Sequence, residues 1–404
     1  MTPKPSSSDK KEPVKRPDKG GNIKVKGVIN LSVNHFRVSF STESVIRHYD
    51  VDIKGENSSK KISRFELAMV KEKLFKDNND FPNAMTAYDG QKNIFSAVEL
   101  PTGSFKVDFS ETEEIMRGRS YTFIIKQVKE LKLLDLQAYI DGRSTFIPRD
   151  VLQGMDVVMK EHPSKRMITV GKRFFSTRLE IDFGYGVGAA KGFHHTLKPT
   201  VQGLSLCLNS SLLAFRKAIS VIEYLKLYFG WRNIRQFKNC RPDDVVQELI
   251  GLKVTVDHRK TKQKFIIMGL SKDDTKDIKF DFIDHAGNQP PRKISIVEYF
   301  KEKYGRDIDH KDIPCLNLGK KGRENFVPME FCNLVEGQIF PKEKLYRDSA
   351  AWLKELSLVT PQQRLENINK MIKSSDGPRG YVDKRFLYLF FSLMTLILSF
   401  YVYL

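Results

Sequence analysis

From Ile23 onward the chain falls into short runs of β-branched and aromatic residues in which apolar and polar side chains alternate. Val33-Asn34-His35-Phe36-Arg37-Val38-Ser39-Phe40 is one such run and Val45 to Ile53 another. A period of two puts alternate side chains on opposite faces of a strand, so these runs bury a face only inside a sheet. An all-helical fold is therefore excluded. Helical spacing follows at Phe65, Leu67, Val70, Leu74 and Phe75, again near Gln137, and between Pro148 and Met159, which makes residues 23–165 an α+β unit.

Further along, Arg166 to Phe183 is again strand-rich, a glycine-rich loop follows, and an amphipathic helix is predicted from about Ser211 to Tyr228. Residues 246–340 carry short strands at Leu252–Val256, Lys264–Met268, Ile278–Ile283 and Phe326–Val327. A helix is expected near Ser295–Lys303 and a turn at Gly287-Asn288-Gln289-Pro290-Pro291. That pattern describes a small β-barrel with an insertion. Ser349 to Lys373 reads as one or two polar amphipathic helices, closed by Ser374-Ser375-Asp376-Gly377-Pro378. Residues 1–22 mix Pro, Ser, Lys and Gly with almost nothing to bury, so a disordered basic tail is expected there, without the apolar core of a secretory signal. At roughly 100–200 residues per domain, 404 residues suggest two or three domains.

Charge and cysteine usage narrow the function. The chain has 68 Lys+Arg against 49 Asp+Glu, a formal charge of +19, and a field of that sign gathers polyanions. Nucleic acid or an anionic membrane is the expected partner, and no small-molecule substrate is indicated. Cys207, Cys240, Cys315 and Cys332 are far apart, which argues against a zinc ribbon or disulfide framework and fits a reducing compartment, the cytoplasm or nucleus. Gly184-Tyr185-Gly186-Val187-Gly188-Ala189 formally matches a dinucleotide fingerprint, but Gly192, a His pair and Pro199 follow where a helix and an acidic ribose partner are required, so a loop is the better reading. His194 and His195 are adjacent and would diverge from each other, which argues against shared metal ligation. No catalytic set, cofactor motif or metal cluster emerges, and the chain gives no positive sign of an enzyme.

The last nineteen residues, Phe386 to Leu404, hold no charge, Pro or Gly and follow Lys384-Arg385. At about 1.5 Å per helical residue such a stretch just crosses a bilayer core of roughly 30 Å. An apolar C-terminal helix over 381–404 is expected, with membrane anchoring through Phe386 to Leu404 as an alternative role and Phe386, Tyr388, Tyr401 and Tyr403 as interfacial aromatics.

Aromatic and basic residues interleave at His258, Lys262, Lys264, Phe265, Phe280, Tyr299, Phe300, Lys303, Tyr304, Arg323 and Phe326. Bases stack on aromatic faces for about 1–3 kcal/mol each while cations and hydroxyls hold phosphates, so the mix suits single-stranded nucleic acid. Phe265, Phe280, Phe300 and Phe326 fit a plain barrel core equally well.

Asn34-His35-Phe36, Arg47-His48-Tyr49-Asp50-Val51 and Ala87-Tyr88-Asp89-Gly90-Gln91-Lys92-Asn93 resemble signatures of the N domain of plant-type Argonautes. Gly171-Lys172-Arg173-Phe174-Phe175, Gly192-Phe193-His194 through Pro199, and Gln202-Gly203-Leu204-Ser205-Leu206 resemble that family's first linker. Ile313-Pro314-Cys315-Leu316-Asn317-Leu318-Gly319 and Val327-Pro328-Met329-Glu330-Phe331-Cys332 resemble its PAZ domain, and Thr360-Pro361-Gln362-Gln363-Arg364 the start of its second linker. The resemblance implies an α/β N domain at 23–165, linker 1 at 166–214, an OB-like PAZ barrel with an αβ insertion at 215–340, and part of linker 2 at 341–380.

The resemblance also implies a partner, the 3′ end of a small RNA, as a single strand or the overhang of a duplex. Tyr299 and Tyr304 match the tyrosines that hold the phosphate between the last two nucleotides, His258 matches the histidine beside them, and Phe280 the aromatic under the terminal base. Lys303, Phe326 and Val327 match neighbouring pocket positions, with Lys264 and Arg323 as nearby cations. Phe265 stands where Tyr is common and Gln263 where a basic residue is common, so one hydroxyl is lost, with Lys262 and Lys264 to compensate. The family's MID domain, and the PIWI domain that cuts target RNA, have no counterpart in these residues, so the implied role is RNA binding in gene silencing without slicing. A truncated gene product without an independent role is the remaining alternative.

Overall fold

The computed structural model describes residues 28–403, apart from 57–61, 63, 82–85, 111–115, 117, 201–202, 260–262, 283–291, 321, 375–376 and 378–390; for 28–32 and 391–403 only the backbone is described. The basic tail at 1–22, Lys262, the turn at 287–291, and Phe386 and Tyr388 lie outside the described residues.

The first unit comprises β1 (Val28–Phe40), β2 (Val45–Gly55), α1 (Arg64–Asp77), β3 (Thr86–Tyr88), β4 (Asn93–Ser96), β5 (Gly103–Asp108), β6 (Ser120–Lys132), α2 (Leu133–Ile140) and α3 (Arg149–Arg166). Five of these strands form an antiparallel sheet in the order β3-β4-β2-β6-β5. The alternation read in β2 buries Ile46, Tyr49, Val51 and Ile53, and a bulge between His48 and Tyr49 shifts its register against β6.

β7 (Ile168–Val170), β8 (Arg173–Phe175), β9 (Ile181–Gly184), β10 (Val187–Thr200) and β11 (Gly203–Arg216) follow. β10 and β11 make one long hairpin running from Val187↔Arg216 to Thr200↔Gly203, and β1 adds to its far side through His35↔Cys207 and Phe36↔Leu206. β1 thus belongs to the linker sheet. Gly184-Tyr185-Gly186 is the turn between β9 and β10; Gly186 has φ +71°, and a Cβ there would stand 2.7 Å from the Tyr224 ring. His194 and His195 fall on β10, where alternation buries only His195, against Phe174 and Phe193.

The helix expected from Ser211 starts ten residues later. Ser211 to Arg216 is the last part of β11, held by pairing with β10, and α4 (Val221–Phe229) begins only after Ser220, whose hydroxyl accepts from the Glu223 amide at 3.2 Å. Apolar Leu212-Leu213-Ala214-Phe215 fits either conformation, and the partner strand decides. A 3-10 turn at Ile234–Asn239, α5 (Pro242–Leu249), β12 (Lys253–Val256), β13 (Phe265–Ile266), β14 (Gly269–Asp274), β15 (Lys279–Phe282), β16 (Arg292–Ser295), α6 (Ile296–Tyr304), β17 (Pro314–Asn317), β18 (Phe326–Val327) and β19 (Cys332–Leu334) complete the next unit. Its small sheets run β13-β12-β19 and β14-β17-β18, and the β15-β16 hairpin with α6 stands out from them. This is the OB-like barrel with an αβ insertion. Its core is its own, built from residues such as Leu225, Leu249, Val254, Ile267, Leu316 and Leu334.

The barrel is tied to the linker sheet by a buried charge cluster. At the end of β11, Arg216 donates to the Glu248 carboxylate (2.7 and 3.0 Å) and to the Ile339 carbonyl (2.8 Å). Tyr224 also donates to Glu248 (2.6 Å), and Lys344 reaches its other oxygen at 3.1 Å. Burial opposes ionisation of Glu248, but these bonds and the Arg216 charge hold its carboxyl below the usual range.

α7 (Arg347–Ser357) and α8 (Pro361–Lys373) are the expected helix pair. The expected apolar C-terminal helix is not formed. Phe391–Tyr403 is strand β20, antiparallel to β1 from Val28↔Tyr403 to Phe40↔Phe391, and among the described residues no helix is long and apolar enough to cross a membrane. The reason is the open edge of β1: its unpaired amides and carbonyls offer an uncharged segment rich in Phe, Tyr and Leu a complete ladder.

Candidate nucleic-acid interface

His258 is presented by β12. That strand pairs with β19 (Val256↔Cys332), and the Asp257 amide donates to the Phe331 carbonyl at 3.0 Å, which sets His258 at the barrel rim beside Phe331. The other half of the site rides on α6. Ser295 and Glu298 close a reciprocal capping box at its start (3.2 and 2.9 Å), and Gly305 at φ +61° ends it in a left-handed cap.

Within α6 the four-residue spacing sorts side chains into two pairs. Phe300 and Tyr304 face His258, each with its ring centroid 4.9 Å from the imidazole. Tyr299 and Lys303 face the insertion hairpin: Tyr299 lies 5.2 Å from Phe280 and 5.8 Å from Phe282, neighbours on one face of β15, and the Lys303 ammonium stands 5.3 Å over the Tyr299 ring. The two tyrosine rings meet edge to face at 5.8 Å.

The imidazole is the electrostatic centre. His258 is 9% exposed, and among the described residues neither ring nitrogen has a hydrogen-bond partner. Burial, then Arg259 and Arg306, push its pKa down to about 4. Burial also raises the Tyr304 hydroxyl, as does neighbouring Tyr299, with Arg259 opposing. A neutral buried imidazole with no partner costs stability unless something fills it. Two phenols, Lys303 and two guanidiniums around it suit an anionic oxygen, and the exposed flanks of Tyr299 and Phe280 suit a stacked ring.

Of the residues singled out from sequence, the structure brings together His258, Phe280, Tyr299, Lys303 and Tyr304. Phe265 pairs across from Val254 on β13, and Phe326 across from Asn317 on β18; both are half-buried against the barrel core, and among the described residues no ring contact joins them to the cluster. Val327 is a core residue at 3% exposure, as is Phe300. Lys264 and Arg323 are exposed. Thus Phe265, Phe300 and Phe326 pack on the barrel core, while Phe280 stands with the tyrosines of α6. Arg259, Phe282 and Arg306 were missed; adjacency to His258 and the two-residue step from Phe280 were available as signals for the first two.

Residues 28–159 match the N-terminal domain of argonaute, 169–217 the Argonaute linker 1 domain and 222–351 the PAZ domain. The chain belongs to the Argonaute family. Rice Protein argonaute 2 is 37% identical over 390 residues, 94% of this chain and 36% of the relative. Rice Protein argonaute 3 is 33% identical, over 93% of this chain and 34% of the relative. The chain therefore spans about a third of the length of these Argonautes. The crystal structure of Kluyveromyces polysporus Argonaute with a guide RNA has a similar fold, with a TM-score of 0.56 at 17% identity over 93% of this chain and 45% of that one. The candidate site lies wholly within the PAZ match.

Proposed function

We propose that this chain grips the 3′ end of a small RNA, as a single strand or a duplex overhang, through its PAZ barrel. The observation that carries the reading is the buried, partnerless His258 imidazole between Tyr304 and Phe300. A phosphate oxygen supplies the missing partner, the Tyr299 and Tyr304 hydroxyls complete its shell, and Phe280 stacks under the last base. Lys303 adds charge, exposed Lys264 and Arg323 and half-buried Phe265 and Phe326 extend the surface beyond it, and Val327 supports it from the barrel core. Stacking is tolerant of sequence, as a binder of many RNAs requires. The Kluyveromyces Argonaute of similar fold holds a guide RNA, which supports the reading.

On this reading the chain binds RNA of gene silencing in the cytoplasm or nucleus and does not itself cut it. Fluorescence anisotropy with a small RNA duplex bearing short 3′ overhangs tests the binding. Affinity should fall when Tyr299→Phe is combined with Tyr304→Ala, and when the 3′ ends are blunt or blocked. Equal affinity for free and blocked ends would sink the proposal, and metal-dependent cleavage of complementary RNA by the purified chain would sink its non-cutting part.

A further inference from the structure

Arg259 follows His258 in sequence and is exposed, yet it is tied into the site. Its Nε donates to the Tyr304 hydroxyl at 3.1 Å, across 45 positions of sequence, with its guanidinium 6.0 Å from the centroid of that ring. Tyr304 in turn meets the Tyr299 ring edge to face at 5.8 Å. A guanidinium only donates. It therefore occupies an acceptor position on the Tyr304 oxygen and turns the Tyr304 proton away from itself, leaving that proton for an incoming oxygen. Arg306 flanks His258 differently: its guanidinium stands 5.9 Å from the centroid of the Phe331 ring, and among the described residues its side chain donates to neither tyrosine.

We propose that Arg259 is a positioning residue that sets the direction of the Tyr304 hydroxyl, so that it presents a proton, and not a lone pair, to a phosphate oxygen of the bound RNA. Arg306 contributes charge alone. Without Arg259, Tyr304 is free to act as acceptor or donor, and part of the population presents oxygen lone pairs to the anion. This inference rests on the RNA 3′-end reading of the site.

The test is anisotropy with the full chain and a small single-stranded RNA, comparing Arg259→Met, Arg306→Met, Tyr304→Phe and the doubles with Tyr304→Phe, at low and high salt. Arg259 and Arg306 are exposed, so these substitutions leave the core intact. Arg259→Met should weaken binding on the order of tenfold, the scale of one hydrogen bond to a charged group. The loss should persist at high salt and nearly vanish in the Tyr304→Phe background, because the side chain acts through that hydroxyl. The Arg306→Met loss should fade with salt and add fully to Tyr304→Phe. If the Arg259 and Tyr304 effects add, or the Arg259 loss fades with salt as that of Arg306 does, Arg259 is only a charge and the proposal is wrong. Free and blocked 3′ ends bound equally by the unmodified chain would instead overturn the underlying reading. Normal end discrimination with unchanged affinity in Arg259→Met would overturn the positioning role alone.

Discussion

At the scale of single residues, the folded state holds His258 neutral. Its pKa falls from 6.5 to about 4 on burial, so between those values the unfolded chain binds the extra proton. The stability from a neutral His258 is fully present above pH 6.5 and is lost as pH falls toward 4. His195, pushed by burial to about 3, acts in the same direction. Urea unfolding followed by fluorescence should show midpoints declining through this window, with a shallower decline in His258→Phe. A bound phosphate reverses the balance by favouring the imidazolium, so affinity for a free RNA 3′ end should rise as pH falls from 6.5, and that rise should be absent in His258→Phe. Gly186→Ala places a Cβ 2.7 Å from the Tyr224 ring at φ +71° and should cost roughly 1–3 kcal/mol in the same unfolding assay.

At the scale of elements, the join between β11, α4, α5 and the segment leaving the barrel depends on Arg216 and Glu248, 6% and 2% exposed. Arg216→Met leaves a buried carboxylate without its guanidinium, held by the Tyr224 hydroxyl and Lys344, and should destabilise the protein by about 3–5 kcal/mol. Pairing it with Glu248→Gln removes the charge as well and should recover part of the loss, measured by denaturant unfolding. The elements themselves were unevenly legible. The caps of α6 and α8 are written locally, in Ser295 with Glu298 and in Thr360 with Gln363; α6 lies within a residue of the expected Ser295–Lys303, whereas the break between α7 and α8 inside Ser349 to Lys373 was not placed. Ser211 to Arg216 was misread because nothing local separates a buried strand from a buried helix there; the choice rests on Val187 to Gly192 lying alongside.

At the scale of the whole molecule, the barrel core shares no residue, among the described residues, with the cores beneath α3 and α1. Calorimetry should therefore show more than one unfolding transition, with the RNA raising only that of the barrel. The β20 edge gives a second expectation. Ile397 lies opposite Phe36 in that ladder, so Ile397→Pro should lower hydrogen-exchange protection in β1 while leaving β12 and β19 unchanged.

The sequence by itself determined strand alternation, helix caps, net charge and the supply of aromatic and basic side chains, because those depend on neighbours a few residues away. Its long family motifs also carried the identity of the three domains. Tertiary structure decided which aromatics are core and which are site, since Phe300 and Tyr304 differ only in what their helix is packed against. It also brought His258 and Arg259 to Tyr304 across some 45 residues. It turned the apolar tail from an expected helix into a strand, because an uncharged segment adopts whichever conformation satisfies its backbone, and here the edge of β1 offers that ladder.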